Sequence, residues 1–417
     1  MKVFKRADIL IPKNVDMEKW CVVACDQYTS EPKYWSDVAE FVSDNKSTLK
    51  LILPEVYLED DDVSDRINNI NSTMKKYLDD DTFSVLDNSL IYVERYTLDG
   101  KCRKGIVGMI DLEEYDYNVG SNSMIRATEK TVTSRIPPRM KVRNNALIEL
   151  PHVMLLIDDD SKSIIDNLDK IVSDKDLVYD TPLMQNGGHI KGYRLSEEVI
   201  NDIMDKLDGL ANVDNFNKKY NVNDKGVLLF AVGDGNHSLA TAKACYEALK
   251  ESGADSKVLE KARYALVEVV NLHSEALEFE PIHRVLFDID VNDFIDSLYK
   301  YYNINEDGNG QKLELVSKDM DKIIYIENPK SNLAVGSIQI FIDEYLSNHD
   351  GKIDYIHGDD VVRSLANKDN NLGILLPPMK KEELFSSVIL DGALPRKTFS
   401  MGHSYDKRYY LEARKIK

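Results

Sequence analysis

The sequence lacks what would tie a chain to a membrane, to duplex nucleic acid or to a disulfide framework. No apolar run approaches the roughly twenty residues that cross a bilayer, so no membrane partner is expected. The stretch MKVFKRADILIP has two basic patches but no long apolar region and no small-residue cleavage site, so a cytoplasmic protein is expected. Positive charge is short: 53 Lys and Arg stand against 72 Asp and Glu, a net charge of −19. That balance argues against nonspecific binding to duplex DNA or to anionic lipid, because both need a basic face. A small anionic ligand needs only a few local donors and stays open. There are four cysteines, Cys21, Cys25, Cys102 and Cys245. Cys21 and Cys25 do not have Cys-x-x-Cys spacing, and no second pair completes a zinc knuckle. Reduced and mostly buried thiols are expected. No repeat of fixed period and no Pro/Gly/Ser linker is visible.

What is present is an ordinary globular composition, 43% hydrophobic and 30% charged. The 417 residues exceed one ordinary core. Two domains are expected, 1–270 and 271–417, with a soft boundary. Val63, Ile67, Ile70, Met74 and Leu78 recur at helical spacing behind an acidic start. Ser89 to Asp111 reads as a hairpin about Asp99-Gly100, a pair suited to a type I′ turn. PHVMLLI reads as a buried strand, Leu195 to Leu207 as a helix with Ser196 near its start, and Asn212 to Lys225 as a polar connection. Arg263 to Asn271 reads as a strand. Beyond Val291, helices near 293–301, 338–346 and 380–388 alternate with strands near 312–316, 322–327 and 372–376. That alternation predicts a mixed α/β fold.

The stretch VLLFAVGDGNHSLATAKACYEALK carries the chemistry. Val227 to Val232 is apolar on both faces, as in a central strand. Leu239, Ala242, Tyr246 and Leu249 share one helical face, so a helix begins near His237. Gly233, Asp234, Gly235 and Asn236 then form the turn between them. Two glycines permit positive φ and close approach of a ligand. The unpaired N–H groups of the first helical turn, with the helix dipole, make an anion site. Asp234 is the residue to hold a magnesium ion or to orient His237, and His237 can donate to a phosphate or exchange a proton. A plain turn capped by Asn236 is the simpler alternative. A dinucleotide fingerprint fails, because Ser238 stands where its third glycine belongs and no acid ends a strand about twenty residues on.

Here the sequence resembles the domain-of-unknown-function family numbered 1015. Its loop reads Asp-Gly-(His/Asn)-His before a helix. Thr128-Glu129-Lys130-Thr131 is similar to its His-Glu-x-Thr element, and Glu280-Pro281-Ile282-His283-Arg284 to its Leu-Pro-Thr-His-Arg element, in the same order. The resemblance implies a ParB/sulfiredoxin-like core with a second α/β part. Proteins of that fold bind nucleotides or phosphates at such a loop and include free-serine kinases, some with Asp-Gly-His-His-Arg. It therefore implies phosphoryl transfer on a small anionic substrate such as serine or phosphoserine, with Mg2+ and a nucleotide (ADP or ATP). A nucleotide-gated switch without catalysis is the alternative. Two positions depart from the pattern. Ser238 replaces the arginine that would fork onto a phosphate, and Thr128 replaces a histidine.

On that reading Asp234, His237 and Glu129 are the catalytic candidates, with Glu129 serving the attacking hydroxyl. Gly233, Gly235, Asn236, Ser238 and Thr131 line the phosphate, and charge comes from Arg135, Arg139 or Arg284, with His283 beside it. Asp26, Gln27 and Tyr28 end an apolar strand and are further binding candidates. The tail, with Arg396, Lys397, Ser400, His403, Lys407 and Arg408, reads as an edge strand; closing over the cleft of the same or a neighbouring subunit of a homo-oligomer is the alternative. His152, His189, His273, His349 and His357 show no metal-ligand spacing and receive no role.

Overall fold

A computed structural model describes residues 3–417. The chain forms two compact units. The first comprises the chain up to Ala127, Thr131–Leu277 and His403–Lys417; the second comprises Thr128–Lys130 and Glu278–Gly402. The fold is mixed α/β, as the alternation of patterns predicts. Among the described residues no helix is long and apolar enough to cross a membrane.

The first unit is built on a ten-stranded mixed sheet. Its order is Leu177–Leu183, Gly188–Arg194, Ile91–Tyr96, Cys102–Asp111, Tyr264–Asn271, Met154–Ile157, Phe230–Asp234, Ile125–Ala127 and Tyr115–Asp116, with Phe4–Lys5 added to Cys102–Asp111. Side chains alternate across a strand with a period of two, and here both faces are covered. Ile91, Val93, Val107 and Leu266 pack with Trp20, Trp35 and the helix Val63–Asp79. Tyr92, Ile106, Val267 and Phe230 pack on the opposite face with Ile203 and Leu239. Strands buried on both faces must be apolar throughout, which is why Met154–Ile157 reads MLLI.

Local chemistry sets the element ends. Ser196 accepts the Val199 N–H and starts the helix Glu197–Leu210. The Asp99-Gly100 turn differs from the expected type I′. Thr97 and Lys101 close it, leaving three residues between, and of these only Gly100 has positive φ, +83°. A two-residue I′ turn needs positive φ at both central positions; the three-residue loop needs it once, where glycine sits. The segment after Asn212 is not a plain connection. Asn212 caps a helix, Val213–Tyr220, anchored by buried Phe216.

The tail His403–Lys417 is threaded into this unit rather than lying along its edge. Tyr409–Tyr410 pairs with Val22–Val23, and Arg414–Lys415 with Ile148–Glu149. Arg408 is buried between two acids: its Nε donates to Glu268 Oε2 and its Nη2 to Glu412 Oε2, both at 2.7 Å. Arg414 Nε likewise donates to Glu149 Oε1 at 2.7 Å. Charges so deep persist only when paired and hydrogen-bonded.

The second unit carries a seven-stranded sheet. Its order is Ile304–Asn305, Met320–Ile326, Gln311–Ser317, Leu372–Leu375, Phe279–Phe287 and Lys352–His357, with Phe399–Met401 also paired to Phe279–Phe287. Every pairing is antiparallel. The helices Val291–Tyr301, Ala334–Leu346, Asp359–Ala366 and Lys381–Asp391 belong to this unit. Val285, Val316, Val362, Ala366 and Leu375 form a core cluster between strands and the helix Asp359–Ala366. All four cysteines are free thiols; Cys21 and Cys245 are buried, whereas Cys25 and Cys102 are half-buried.

Candidate anion-binding site

The loop after Val232 is placed by its neighbours in the first unit's sheet. The strand Phe230–Asp234 runs antiparallel to Met154–Ile157 on one side and parallel to Ile125–Ala127 on the other. Phe230, Ala231 and Val232 are buried, and exposure begins at Gly233. Gly235 then turns the chain with φ +78°, and the helix Asn236–Glu251 starts at once. Glycine is required here twice over. A Cβ at this position would adopt a disfavoured φ and lie 3.0 Å from Val153 Cα and 3.4 Å from His152 Cδ2. The first helical bond runs from Leu239 N–H to Gly235 O, 3.0 Å. The N–H groups before it belong to the end that carries the positive pole of the helix.

The side chains at this helix start form a polar cluster. Asp234 Oδ1 accepts the Gly235 N–H at 2.9 Å, and Asp234 Oδ2 lies 3.3 Å from Lys407 Nζ. The Lys407 side chain is only 11% exposed, so its charge is a strong local feature. His237 Nε2 accepts the Val132 N–H at 3.3 Å, which leaves the proton of the neutral ring on Nδ1. Among the described residues, two buried oxygens, Asn236 Oδ1 and Thr131 Oγ1, have no hydrogen-bond partner. Buried polar atoms are normally satisfied. Thr131 directly precedes Val132, so both orphan atoms belong to the surroundings of the helix start.

Asp26 and His152 extend the cluster. Asp26 Oδ2 is 3.7 Å from His152 Nε2, and Tyr410 Oη is 2.7 Å from His152 Nδ1. Burial opposes charge on Asp26, but the Gln27 amide and Lys407 are among the groups that outweigh it and hold the carboxyl below its usual range. Arg139 donates to Glu55 Oε1 from Nε at 2.8 Å, and its Nη2 is 2.5 Å from the same oxygen. Its charge is thereby committed to that acid. Burial nevertheless pushes the Glu55 carboxyl up, against the lowering effect of Arg139. Arg135 is exposed, and its carbonyl accepts a bond from Arg139 Nη1 at 2.6 Å. Ser238 is half-buried in the first helical turn.

Glu129, His283 and Arg284 belong to the second unit. There Glu129 Oε1 accepts the Thr398 N–H at 3.1 Å, and burial pushes its carboxyl up. His283 is buried with both nitrogens engaged. Its Nδ1 accepts the Leu376 N–H at 3.0 Å, and its Nε2 faces Asp359 Oδ1 at 2.8 Å. Arg284, fully buried, donates to Gln339 Oε1 at 3.1 Å and to the carbonyls of Ile282, Lys397 and Arg396. These bonds tie the 396–397 segment to the strand Phe279–Phe287. Burial draws the Arg284 guanidinium down to about 10.

Asp234 offers a cation one carboxylate, already shared between Gly235 N–H and Lys407. Magnesium uses one or two protein carboxylates and completes its shell with water and substrate phosphates, so this donor set fits a magnesium ion that comes with a nucleotide. A three-ligand group lies elsewhere: Asp158, Asp160 and His273, with Lys219 Nζ 2.9 and 2.8 Å from the two carboxylates. Asp158 follows the end of Met154–Ile157, whereas Asp234 pairs with Met154 at its beginning. The two places are about 13 Å apart along the strand at about 3.3 Å per residue.

His152 has no ligand spacing in the sequence, and nothing there pairs Lys407 or Tyr410 with the loop. One signal for His152 was present. It directly precedes the buried strand VMLLI, and a strand antiparallel to the loop strand brings its start to the loop. For Lys407 and Tyr410 there was none, because more than 170 residues separate Lys407 from Asp234.

The family described as "Protein of unknown function (DUF1015)" matches residues 9–365. No curated protein matches the chain. Among solved structures, a free serine kinase in complex with AMP is similar at 12% identity, covering 77% of this chain and 95% of its own, with a TM-score of 0.39. A conserved hypothetical protein from Pyrococcus furiosus is similar at 12% identity over 74% and 94%, with a TM-score of 0.37. SbnI from Staphylococcus aureus, with a C-terminal truncation, is similar at 9% over 71% and 83%, TM-score 0.36.

Proposed function

The chain belongs to the DUF1015 family, and from the chemistry of its first unit we propose that it is an enzyme of phosphoryl transfer on a small molecule. The observation that carries this reading is the helix start at Gly235. There a buried lysine, Lys407, pairs with the loop carboxylate Asp234, and the buried Thr131 hydroxyl, which can donate, has no partner among the described residues. A phosphate placed against the N–H groups of the first turn gains the helix pole and the Lys407 charge together. Serine or phosphoserine as the substrate class rests on the resemblance of the loop to that of free-serine kinases. A nucleotide (ADP or ATP) or water is the partner.

The chain's own residues divide the work. Gly233 and Gly235 let the substrate approach the backbone, and Asn236 and Ser238 line it. His237, with its proton on Nδ1, donates to a phosphoryl oxygen. Lys407 offsets the charge that develops on the transferring group, the role in which preorganised charge contributes most. Exposed Arg135 is the cation that the neighbouring segment would bring; Arg139 is committed to Glu55. Magnesium, held by Asp234 and the phosphates, would supply further neutralisation of the phosphate oxygens.

The test is phosphorus NMR of the protein with magnesium and O-phospho-L-serine, alone and then with AMP or ADP. Nucleotide-dependent loss of the phosphoserine signal with growth of ADP or ATP establishes transfer. Free phosphate without nucleotide establishes a hydrolase. Nucleotide binding with no change in either sample replaces the reading with a binding switch.

A further inference from the structure

We infer that Asp26 is the general base of this site, that His152 orients it, and that Tyr410 fixes the tautomer of His152. The inference rests on the phosphoryl-transfer reading and adds the group that takes the acceptor's proton.

The geometry sets the direction of each bond. The Cys25 N–H donates to Tyr410 Oη at 3.1 Å. The phenol also faces the Cys25 thiol and, at 2.7 Å, His152 Nδ1; the ring nitrogen is the stronger acceptor of the two, so the phenol's proton is assigned to Nδ1. Burial and the nearby Cys25 and Asp26 push the Tyr410 phenol well up, so it stays a donor. Nδ1 of His152 is therefore the acceptor, and the proton of the neutral ring sits on Nε2. That Nε2–H faces Asp26 Oδ2 across 3.7 Å, longer than a hydrogen bond and in the range where ligand-free catalytic pairs wait to tighten.

Exposure assigns the roles. The His152 side chain is 8% exposed and stands behind; the Asp26 carboxylate is 27% exposed and presents an open edge. The pair abuts the loop, since His152 Cδ2 lies 3.4 Å from where a Cβ of Gly235 would be. Lys407 and the Gln27 amide help keep Asp26 ionised, and Glu55 with its Arg139 stands nearby. In the step, an acceptor hydroxyl gives its proton to the Asp26 carboxylate as its oxygen bonds to phosphorus. The bond from phosphorus to the bridging oxygen of a nucleoside di- or triphosphate breaks, and that oxygen keeps the electron pair. His152 and Tyr410 touch neither reactant and are positioning residues.

The first measurement is nitrogen-15 NMR of the histidine rings in the intact protein, with His152 assigned by His152→Gln. The wild type is expected in the Nε2–H tautomer, and Tyr410→Phe is expected to mix the tautomers. A wild type in the Nδ1–H form overturns the inference without touching the anion loop. The second is steady-state kinetics of phosphate exchange between phosphoserine and nucleotide. Asp26→Asn is expected to lower kcat by about 100-fold or more with KM within twofold, the usual range for loss of a general base. Asp26→Glu should recover part of it, and Tyr410→Phe should lower kcat by about tenfold at unchanged KM. An Asp26→Asn protein with full turnover overturns the base. A wild type with the expected tautomer but no turnover overturns the reaction and leaves the pair a structural one.

Discussion

Two glycines with nearly the same backbone angle allow the closeness of the Gly235 turn to be weighed. Gly100 has φ +83° and Gly235 φ +78°. An alanine at either position pays about 1–2 kcal/mol for the left-handed conformation. At Gly100 nothing lies within 4 Å of the added Cβ, so Gly100→Ala carries that cost alone. At Gly235 the same atom meets Val153 Cα at 3.0 Å and Val153 Cγ2 at 3.1 Å. The nearer neighbour is backbone just before the strand Met154–Ile157, held by the Glu268 N–H bond to Val153 O, and cannot rotate away, and forcing such a contact costs about a further 1–3 kcal/mol. Gly235→Ala is therefore expected to cost about 3 kcal/mol and Gly100→Ala about 1. The assay is urea unfolding followed by tryptophan fluorescence. It reads the first unit specifically, because the chain's two tryptophans, Trp20 and Trp35, are both buried there. Titration of the two variants with inorganic phosphate belongs beside it, since the loop N–H groups must move if Gly235 moves. Equal destabilisation by the two substitutions, within about 0.5 kcal/mol, would refute the claim that His152 and Val153 close on the loop.

Lys407→Met should weaken binding of inorganic phosphate or ADP by at least about tenfold, the scale of one charge-assisted contact, with calorimetry as the readout; unchanged affinity removes Lys407 from the site. Arg408→Met leaves Glu268 and Glu412 buried without their shared cation, and should cost about 3–5 kcal/mol in urea unfolding; a loss under 1 kcal/mol would contradict the pairing. Glu149 supplies a pH test. Burial opposes its charge, but Arg414 and Arg143 outweigh burial and hold the carboxyl below its usual range. A folded value below the unfolded value, about 4.3, means the stabilisation is complete above that pH and is lost as pH falls through the folded value. Glu149→Gln should thus be less stable than the wild type at pH 7, with the gap narrowing below about pH 4; a gap independent of pH would show that the charge of Glu149 is not what the two arginines stabilise.

The loop was legible because it is local. Strand, glycine turn and helix lie within twenty-five residues, and each has a period or a residue type that announces it. The helix Val213–Tyr220 was not, because a single buried side chain, Phe216, anchors it and leaves no apolar period to detect. The tail failed for a different reason. Its alternation of apolar and polar residues reads as an edge strand, yet Arg408 and Arg414 are buried because their counter-charges come from Glu268 and Glu149. Charge in a sequence is read as exposure unless its partner is known, and these partners lie well over a hundred residues away. His283 and Arg284 show the converse. Their types suggested a ligand, and within the second unit their donors and acceptors are engaged with the chain's own carbonyls, amide and carboxylate.

Synthesis on the ribosome runs from the amino end, so the first unit must wait for its last strands. Everything from Glu278 to Gly402 is made before His403–Lys417 emerges, and until then Glu268 has no Arg408, Asp234 has no Lys407 and His152 has no Tyr410. A nascent chain stopped at Gly402 would leave Glu268 with Arg103 but without Arg408, and the loop without its lysine. The second unit is in effect a long interruption, and Lys407 and Tyr410 reach the loop only after it has been made. A single-chain first unit therefore cannot be made by cutting at Leu277; it calls for a new peptide connection from Leu277 to His403, which restores the tail to its pairings with Val22–Val23 and Ile148–Glu149.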